Sequence, residues 1–373
     1  MTRIAIVVNE AKFFVSHRLV LAKAARDAGY EVVVITPGGD GQAEILAAGF
    51  EWHELRMSRG GRSPLRELHA VWQLYRLYRR LRPDLVHHVA MKPIVYGTLV
   101  ARLAGVPAVV NAVSGMGYMF TGGSRLRAAF GALLYRVALR HPGLTLILQN
   151  SDDLATFRRW LPGVDIVLVP GSGVDIERFH PPRLPPADPC VLFTGRMLRH
   201  KGVGELIAAA ARVRARCPAA RFVLVGRADP DNPSAIPVAD LERAAEAGDI
   251  EWLGERKDID ALLRTASVFC LPSYREGLSK SLLEAAATGV ALVTTDAPGC
   301  REVVQHERNG LLVPVGDAQA LADAVLRLLG DAPLRARLGA AARADATAHY
   351  AESAIIDAQL AIYRRRGARV PGR

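Results

Sequence analysis

The chain has 373 residues, half of them hydrophobic, and a formal net charge of +11. That length predicts two domains of about 180 residues each. Cys190, Cys217, Cys270 and Cys300 lack Cys-x-x-Cys spacing, which argues against a disulfide framework or a cysteine metal centre and for reduced cytosolic thiols. The stretch Met1 to Glu10 is interrupted too early for a signal peptide, and nothing approaches a run of about 18 uncharged apolar residues, so a soluble or peripheral protein is expected. The charge is uneven. Residues 55–140 hold 14 Lys/Arg against 2 Asp/Glu, whereas residues 181–373 hold 26 against 23. So strong a local field implies a polyanionic partner: nucleic acid, an anionic membrane surface or a diphosphate.

Ile4 to Val8 reads as a buried strand, followed by a helix from about Val15 to Ala28 that stops at Gly29. Further strands are expected at Val32 to Ile35, Leu85 to Val89, Ala108 to Val110, Leu144 to Leu148 and Ile166 to Val169. His180 to Pro189 is a proline-dense connector and the best domain boundary in the chain. A second series comes next, with strands at Val191 to Phe193, Arg221 to Val225, Ile250 to Leu253, Val268 to Leu271, Ala291 to Thr294 and Leu311 to Val313. Helices are expected at Gly202 to Arg216, Asp258 to Thr265 and Ser281 to Ala287, and again from Ala318 onward. Strands alternating with helices predict parallel, doubly wound sheets, here two of them facing a cleft. The expected division is 1–180, 181–350, and a terminal helix with a basic tail, 351–373, packing back on the first domain.

Pro272 to Gly289 organises the second half. A strand ends, a loop carries Glu276, Gly277, Leu278 and Ser279, and a helix carrying Glu284 begins. Free backbone N–H groups and the positive end of the helix dipole then meet at the carboxyl edge of the sheet, where such sheets bind anions. The plainer alternative pairs Glu276 with Lys280 and makes Ser281 and Glu284 a capping box. After the first strand of the same series, Gly195 permits close backbone approach, and Arg196 and Lys201 supply two cations suited to a diphosphate. No Gly-x-Gly-x-x-Gly succeeds Ile4 to Val8, so no dinucleotide cofactor is expected. Asp229-Pro-Asp231 and Asp258-Ile-Asp260 match a bare Asp-x-Asp pattern, and both read as turn or cap residues rather than metal ligands.

Gly195-Arg196-x4-Lys201-Gly202, the Glu276-x7-Glu284 segment, Asp296-Ala-Pro-Gly-Cys-Arg-Glu302 and Asn309-Gly-Leu-Leu-Val together resemble family 4 of the retaining GT-B glycosyltransferases. In the first half, Phe13 to Leu19, His88 to Gly97 and Val109 to Tyr118 look like the bacterial subgroup that extends sugars on a polyprenyl diphosphate, alongside capsule and O-antigen transferases. The resemblance implies transfer of an N-acetylated hexose from a UDP-sugar donor to a polyprenyl-diphosphate-linked saccharide, with neither metal nor cofactor. It places Arg196 and Lys201, with Gly195, on the donor diphosphate, and Glu276 at the sugar's reacting face. The backbone of Gly277, Leu278 and Ser279 would cradle sugar and phosphate, and Glu284 would hold the ribose hydroxyls. Lys92, Asn111 and Ser114 fall on the acceptor side. Reaction would occur at the cytoplasmic face of the bacterial inner membrane.

Two features depart from the family. Lys12-Phe13-Phe14 stands where many members carry a glycine pair, and Asn111-Ala-Val-Ser114 stands where many carry a histidine. His17 is the candidate to replace that histidine across the cleft. Leu65, Leu68, Trp72, Tyr75 and Tyr78 recur at helical spacing among arginines, as Leu126, Phe130, Leu133, Leu134 and Val137 do within Ser124 to Arg140. Packing against the sheet explains such stripes, and so does docking on an anionic bilayer. Nucleic-acid binding competes for the same charge, but no recognition motif accompanies it. Two rival functions remain: a UDP-sugar epimerase on this fold, and a non-catalytic partner in glycan assembly.

Overall fold

The computed structural model describes residues 1–57, 63–115, 133, 135–184, 186, 188–230 and 232–367. It divides into unit 1, Met1–Ser172 with the chain from Ile355, and unit 2, Gly173–Ala354. The division falls before the proline-dense connector because residues 173–180 already pack into the second core. Val174 and Phe179 lie in the unit 2 core, and Arg343 donates to the carbonyls of Phe179 and Ile176. The terminal helix Glu352–Arg365 begins in unit 2, and its second part belongs to unit 1.

Unit 1 is built on β1 (Arg3–Val8), β2 (Glu31–Thr36), β3 (Glu51–Glu54), β4 (Leu85–Val89), β5 (Ala108–Ala112), β6 (Leu144–Leu148) and β7 (Asp165–Leu168). They form a parallel sheet in the order β3-β2-β1-β4-β5-β6-β7. Near-continuous Val and Ile in β1 and β2 follow from burial on both faces, and β4 is buried throughout although it carries His87 and His88. The terminal helix closes one face: Tyr363 is fully buried with its hydroxyl 2.5 Å from His87 Nδ1, and Arg366 binds Asp165 at 2.5 Å. The helix expected over Val15 to Ala28 is in fact two, Ala11–His17 and Leu19–Asp27. Arg18 breaks them, with φ −132° and ψ −14°, because its side chain turns inward and donates to the His17 carbonyl at 2.9 Å.

Unit 2 is built on β8 (Cys190–Thr194), β9 (Arg221–Val225), β10 (Glu251–Trp252), β11 (Val268–Leu271), β12 (Ala291–Thr295) and β13 (Leu311–Val313). Its parallel order is β10-β9-β8-β11-β12-β13. The four cysteines are unbridged; Cys190, Cys270 and Cys300 are buried, and burial pushes their thiols up, Cys190 to about 11. No described helix is long and apolar enough to cross a membrane.

Candidate functional site

Each sheet reverses its strand order once, between β1 and β4 in unit 1 and between β8 and β11 in unit 2. Open α/β sheets bind ligands outside the carboxyl ends of the strands at such a reversal. In unit 2 the two loops leaving that point carry the candidate donor residues. Because β8 and β11 pair directly, Val191 opposite Val268, the loops emerge side by side.

The loop after β8 ends in a turn of 3-10 helix, Arg199–Lys201, closed by Gly202 at φ +73°. A Cβ on Gly202 would lie 2.1 Å from the Pro272 carbonyl oxygen, so only glycine lets this loop lie against the next one. Lys201 Nζ then donates to Glu276 Oε1 at 2.5 Å, and the Ser273 hydroxyl donates to the same oxygen at 2.6 Å. Both side chains of the ion pair are largely enclosed, so it is screened far less than a surface pair. The His200 carbonyl takes the Tyr274 N–H at 2.9 Å, a further tie between the loops. Arg196 Nη1 donates to Asp229 Oδ2 at 2.7 Å.

The helix after β11 is Lys280–Thr288, with Ser279 as its N-cap: Ser279 Oγ accepts from Leu282 N at 3.3 Å. Glu284 therefore sits beyond the third helical position, which rules out the capping box with Ser281. Its carboxyl is pushed up to about 7, first by burial, against the pull of Lys280 and Arg178 and with the help of Asp260. Lys280 Nζ lies 4.0 Å from Glu284 Oε1. Arg178 is itself held, Nη2 donating to Asp260 Oδ1 at 3.0 Å and to the Lys257 carbonyl at 2.9 Å. Arg196, Lys201, Glu276, Ser279 and Glu284 thus all lie on the two adjacent crossings from β8 and β11, together with Gly195, Gly277 and Leu278.

Unit 1 places His17 at the end of its helix rather than at a helix start. The ring stacks on Phe13, centroids 4.0 Å apart and planes within 3°, and Nδ1 lies 2.6 Å from Ser16 Oγ. Lys92 stands in the first turn of the helix Met91–Ala104 leaving β4, and donates to Glu67 Oε1 at 2.7 Å. The entry to that helix is strained, since Ala90 has φ +74°, a conformation costing a non-glycine residue about 1–3 kcal/mol and concentrated at functional sites. Asn111 corrects its assignment to the acceptor side. It is fully buried, its Oδ1 2.7 Å from His88 Nδ1 and its Nδ2 donating to Thr98 Oγ1 at 2.8 Å, so it orders the interior instead of meeting a ligand. Ser114 is half-buried just beyond β5. Most of Ser124 to Arg140 and the end of the Val109 to Tyr118 segment lie outside the described residues, as does Asp231.

Ser273, which motif reading passed over, and Asp229, which it read as a turn residue, contact the candidate residues Glu276 and Arg196. Ser273 stands inside the quoted segment three residues before Glu276, but nothing in a Pro-Ser-Tyr-Arg run says which way its hydroxyl turns. Among the described residues no group of three His, Cys, Asp or Glu is arranged to hold a metal ion.

Two family models match the chain, Glycosyl transferase 4-like over residues 3–151 and Glycosyl transferases group 1 over residues 188–331. The chain is 29% identical over 365 residues to the N,N'-diacetylbacillosaminyl-diphospho-undecaprenol alpha-1,3-N-acetylgalactosaminyltransferase of Campylobacter jejuni, covering 93% of this chain and 94% of that one. It is 25% identical over 289 residues to the UDP-Gal:alpha-D-GlcNAc-diphosphoundecaprenol alpha-1,3-galactosyltransferase of Escherichia coli, covering 72% of each. Among solved structures, sucrose-phosphate synthase from Thermosynechococcus elongatus superposes with a TM-score of 0.79 at 21% identity, over 99% of this chain and 100% of that one. HepE from Anabaena, in complex with UDP and glucose, gives 0.79 at 18%, over 98% and 100%. At these identities the structural likeness speaks to the fold alone. The two family models, which together span both halves of the chain, and the Campylobacter relative make this chain a member of the family 4 glycosyltransferases, and the structural likeness gives it the GT-B fold.

Proposed function

We propose that this glycosyltransferase moves an N-acetylhexosamine from a UDP-sugar to a polyprenyl-diphosphate-linked saccharide, with retention at the anomeric carbon and without a metal or cofactor. The observation that carries the donor half is the placement of Arg196, Lys201 and Glu276 on adjacent loops at the strand-order reversal of unit 2. Two cations there can take up the charge of a departing nucleoside diphosphate, the task a metal would otherwise perform. Glu276 faces the sugar in this scheme, and Glu284 the ribose. The leaving phosphate oxygen accepts the proton of the attacking hydroxyl on the same face as oxocarbenium character develops, leaving positioning and charge stabilisation to the protein. The acceptor class is supported by the two bacterial relatives, whose names specify diphospho-undecaprenol-linked sugars. Incubation with a panel of UDP-sugars and a short-chain polyprenyl-diphosphate GlcNAc-type acceptor tests it: one sugar should be transferred, and a chelator should leave the rate unchanged. An epimerised UDP-sugar formed with no acceptor present would overturn the transferase scheme, and inhibition by chelator that magnesium reverses would overturn its metal-free form.

Docking at the inner face of the cytoplasmic membrane is part of the same proposal. On the helix Pro64–Leu81, Leu65 is 79%, Leu68 66% and Trp72 52% exposed, so this part of the stripe faces outward. Tyr78 does not join it, being buried against His88 with its hydroxyl 2.7 Å from Nε2. Arg76 lies over the Trp72 ring at 4.8 Å, and Arg79 and Arg80 are exposed beside it. An apolar and aromatic stripe flanked by arginines suits the interface of an anionic bilayer. Changing Arg76, Arg79 and Arg80 to Gln should weaken binding to anionic vesicles about a hundredfold, at about 1 kcal/mol per charge. Cosedimentation at low and high salt measures it; a triple variant that pellets like the parent would move the docking surface elsewhere.

A further inference from the structure

Arg196 is engaged before any ligand arrives. Its partner Asp229 comes from the loop after β9, the strand beside β8, and the carboxylate is well enclosed, with 13% of the side chain exposed against 35% for Arg196. That loop runs along the Arg196–Lys201 segment as a second layer. Met197 N donates to the Arg227 carbonyl at 3.1 Å, Arg199 N to the Ser234 carbonyl at 2.7 Å, and Ile236 N to the Met197 carbonyl at 3.0 Å. Leu198 and Ala235 form an antiparallel bridge, and His200 Nδ1 lies 2.8 Å from Ser234 Oγ. At the head of the loop Gly226 lets the two chains touch, since a Cβ there would lie 1.8 Å from the Gly195 carbonyl oxygen. Asp229 is fixed within this layer, its carbonyl accepting from Asn232 N at 2.8 Å.

A long side chain held through one N–H of a planar guanidinium has its remaining donors set in direction. The rotamer entropy of such an arginine is then lost on folding rather than on binding. None of the backbone bonds named between the two loops uses the Asp229 carboxylate. We propose that Asp229 is a positioning residue that pre-orients Arg196 for the donor diphosphate. This rests on the assignment of Arg196 to that diphosphate.

The test is calorimetry with UDP, in the presence of a chelator, on the full-length parent, Asp229→Asn, Arg196→Ala, the double variant and Asp229→Glu, with melting temperatures alongside. Asp229→Asn is expected to weaken UDP binding about tenfold, by loss of one charge-assisted hydrogen bond and of pre-organisation. In the Arg196→Ala background the same change should shift UDP affinity by less than about twofold, since residues acting as one unit are not additive. Asp229→Glu should recover part of the loss, which a fault in loop folding would not allow. Additive losses overturn the proposal, because Asp229 would then act by another route. Parental or tighter UDP binding by Asp229→Asn overturns it alone, leaving the role of Arg196 standing if Arg196→Ala is weakened. Parental binding by Arg196→Ala removes the diphosphate assignment, and this proposal with it. UDP affinity that rises when magnesium replaces the chelator in the parent, but not in Asp229→Asn, would make Asp229 a metal ligand instead.

Discussion

Lys201→Ala is expected to lower turnover by about two to three orders of magnitude, as when a charge-stabilising group is lost from a closed catalytic site. The loss is double. The cation proposed to meet the leaving diphosphate disappears, and Glu276 is left with the Ser273 hydroxyl on an oxygen that the ammonium held at 2.5 Å. A carboxylate deprived of its buried partner carries a desolvation cost that the parent does not. Glu276→Gln separates the two effects. It keeps the shape and a hydrogen-bond acceptor for Ser273 but removes the charge, so turnover should fall far more than UDP affinity does. Initial rates at saturating donor, with UDP calorimetry on the same samples, measure both. Turnover within about twofold of the parent in both variants would remove this pair from the chemistry, given the rate losses usual for such groups.

UDP affinity is expected to rise with pH through about 7 and then level off, because Glu284 must be ionised to accept strong hydrogen bonds from ribose hydroxyls and its carboxyl is pushed up to about 7. Glu284→Gln should flatten that profile and lower its plateau about tenfold to a hundredfold, the range for a hydrogen bond to a charged group. Stability moves in the opposite direction. A carboxyl raised from 4.5 to about 7 binds its proton more tightly when folded, so its contribution is complete below pH 4.5 and is lost as pH rises to about 7. Glu284→Gln should remove that decline. Calorimetry between pH 5.5 and 8.5 (roughly the window on either side of this value), with melting curves at the same points, checks both signs. A pH-independent parental affinity, or a flat profile unchanged by the substitution, would place the ribose elsewhere.

Two parallel α/β sheets were legible from the chain alone, because strands buried on both faces must be nearly continuous apolar runs. Leu144–Leu148, Arg221–Val225, Val268–Leu271 and Leu311–Val313 appear where those runs stand. β3 was not legible: Glu51-Trp-His-Glu54 is an edge strand at intermediate or full exposure, so packing put little apolar signal into it. The break at Arg18 was hidden because the helical period continues across it, and only the inward turn of one arginine interrupts the backbone. Likewise the proline-dense stretch marks where the chain cannot be regular, whereas the division of units depends on which core Val174 and Phe179 join. The candidate donor residues were readable as motifs because each loop must carry its own glycines, cations and cap. Their partners were not. Glu276 could be assigned to neighbouring Lys280 from spacing, but its 2.5 Å contact with Lys201 joins residues 75 apart and exists only because β8 and β11 are adjacent in the sheet. Asp229 looked like a turn residue until β9, lying beside β8, brought it to Arg196. Sequence by itself determined which side chains this protein carries to the carboxyl ends of its strands; strand order, a tertiary property, decided which of them meet.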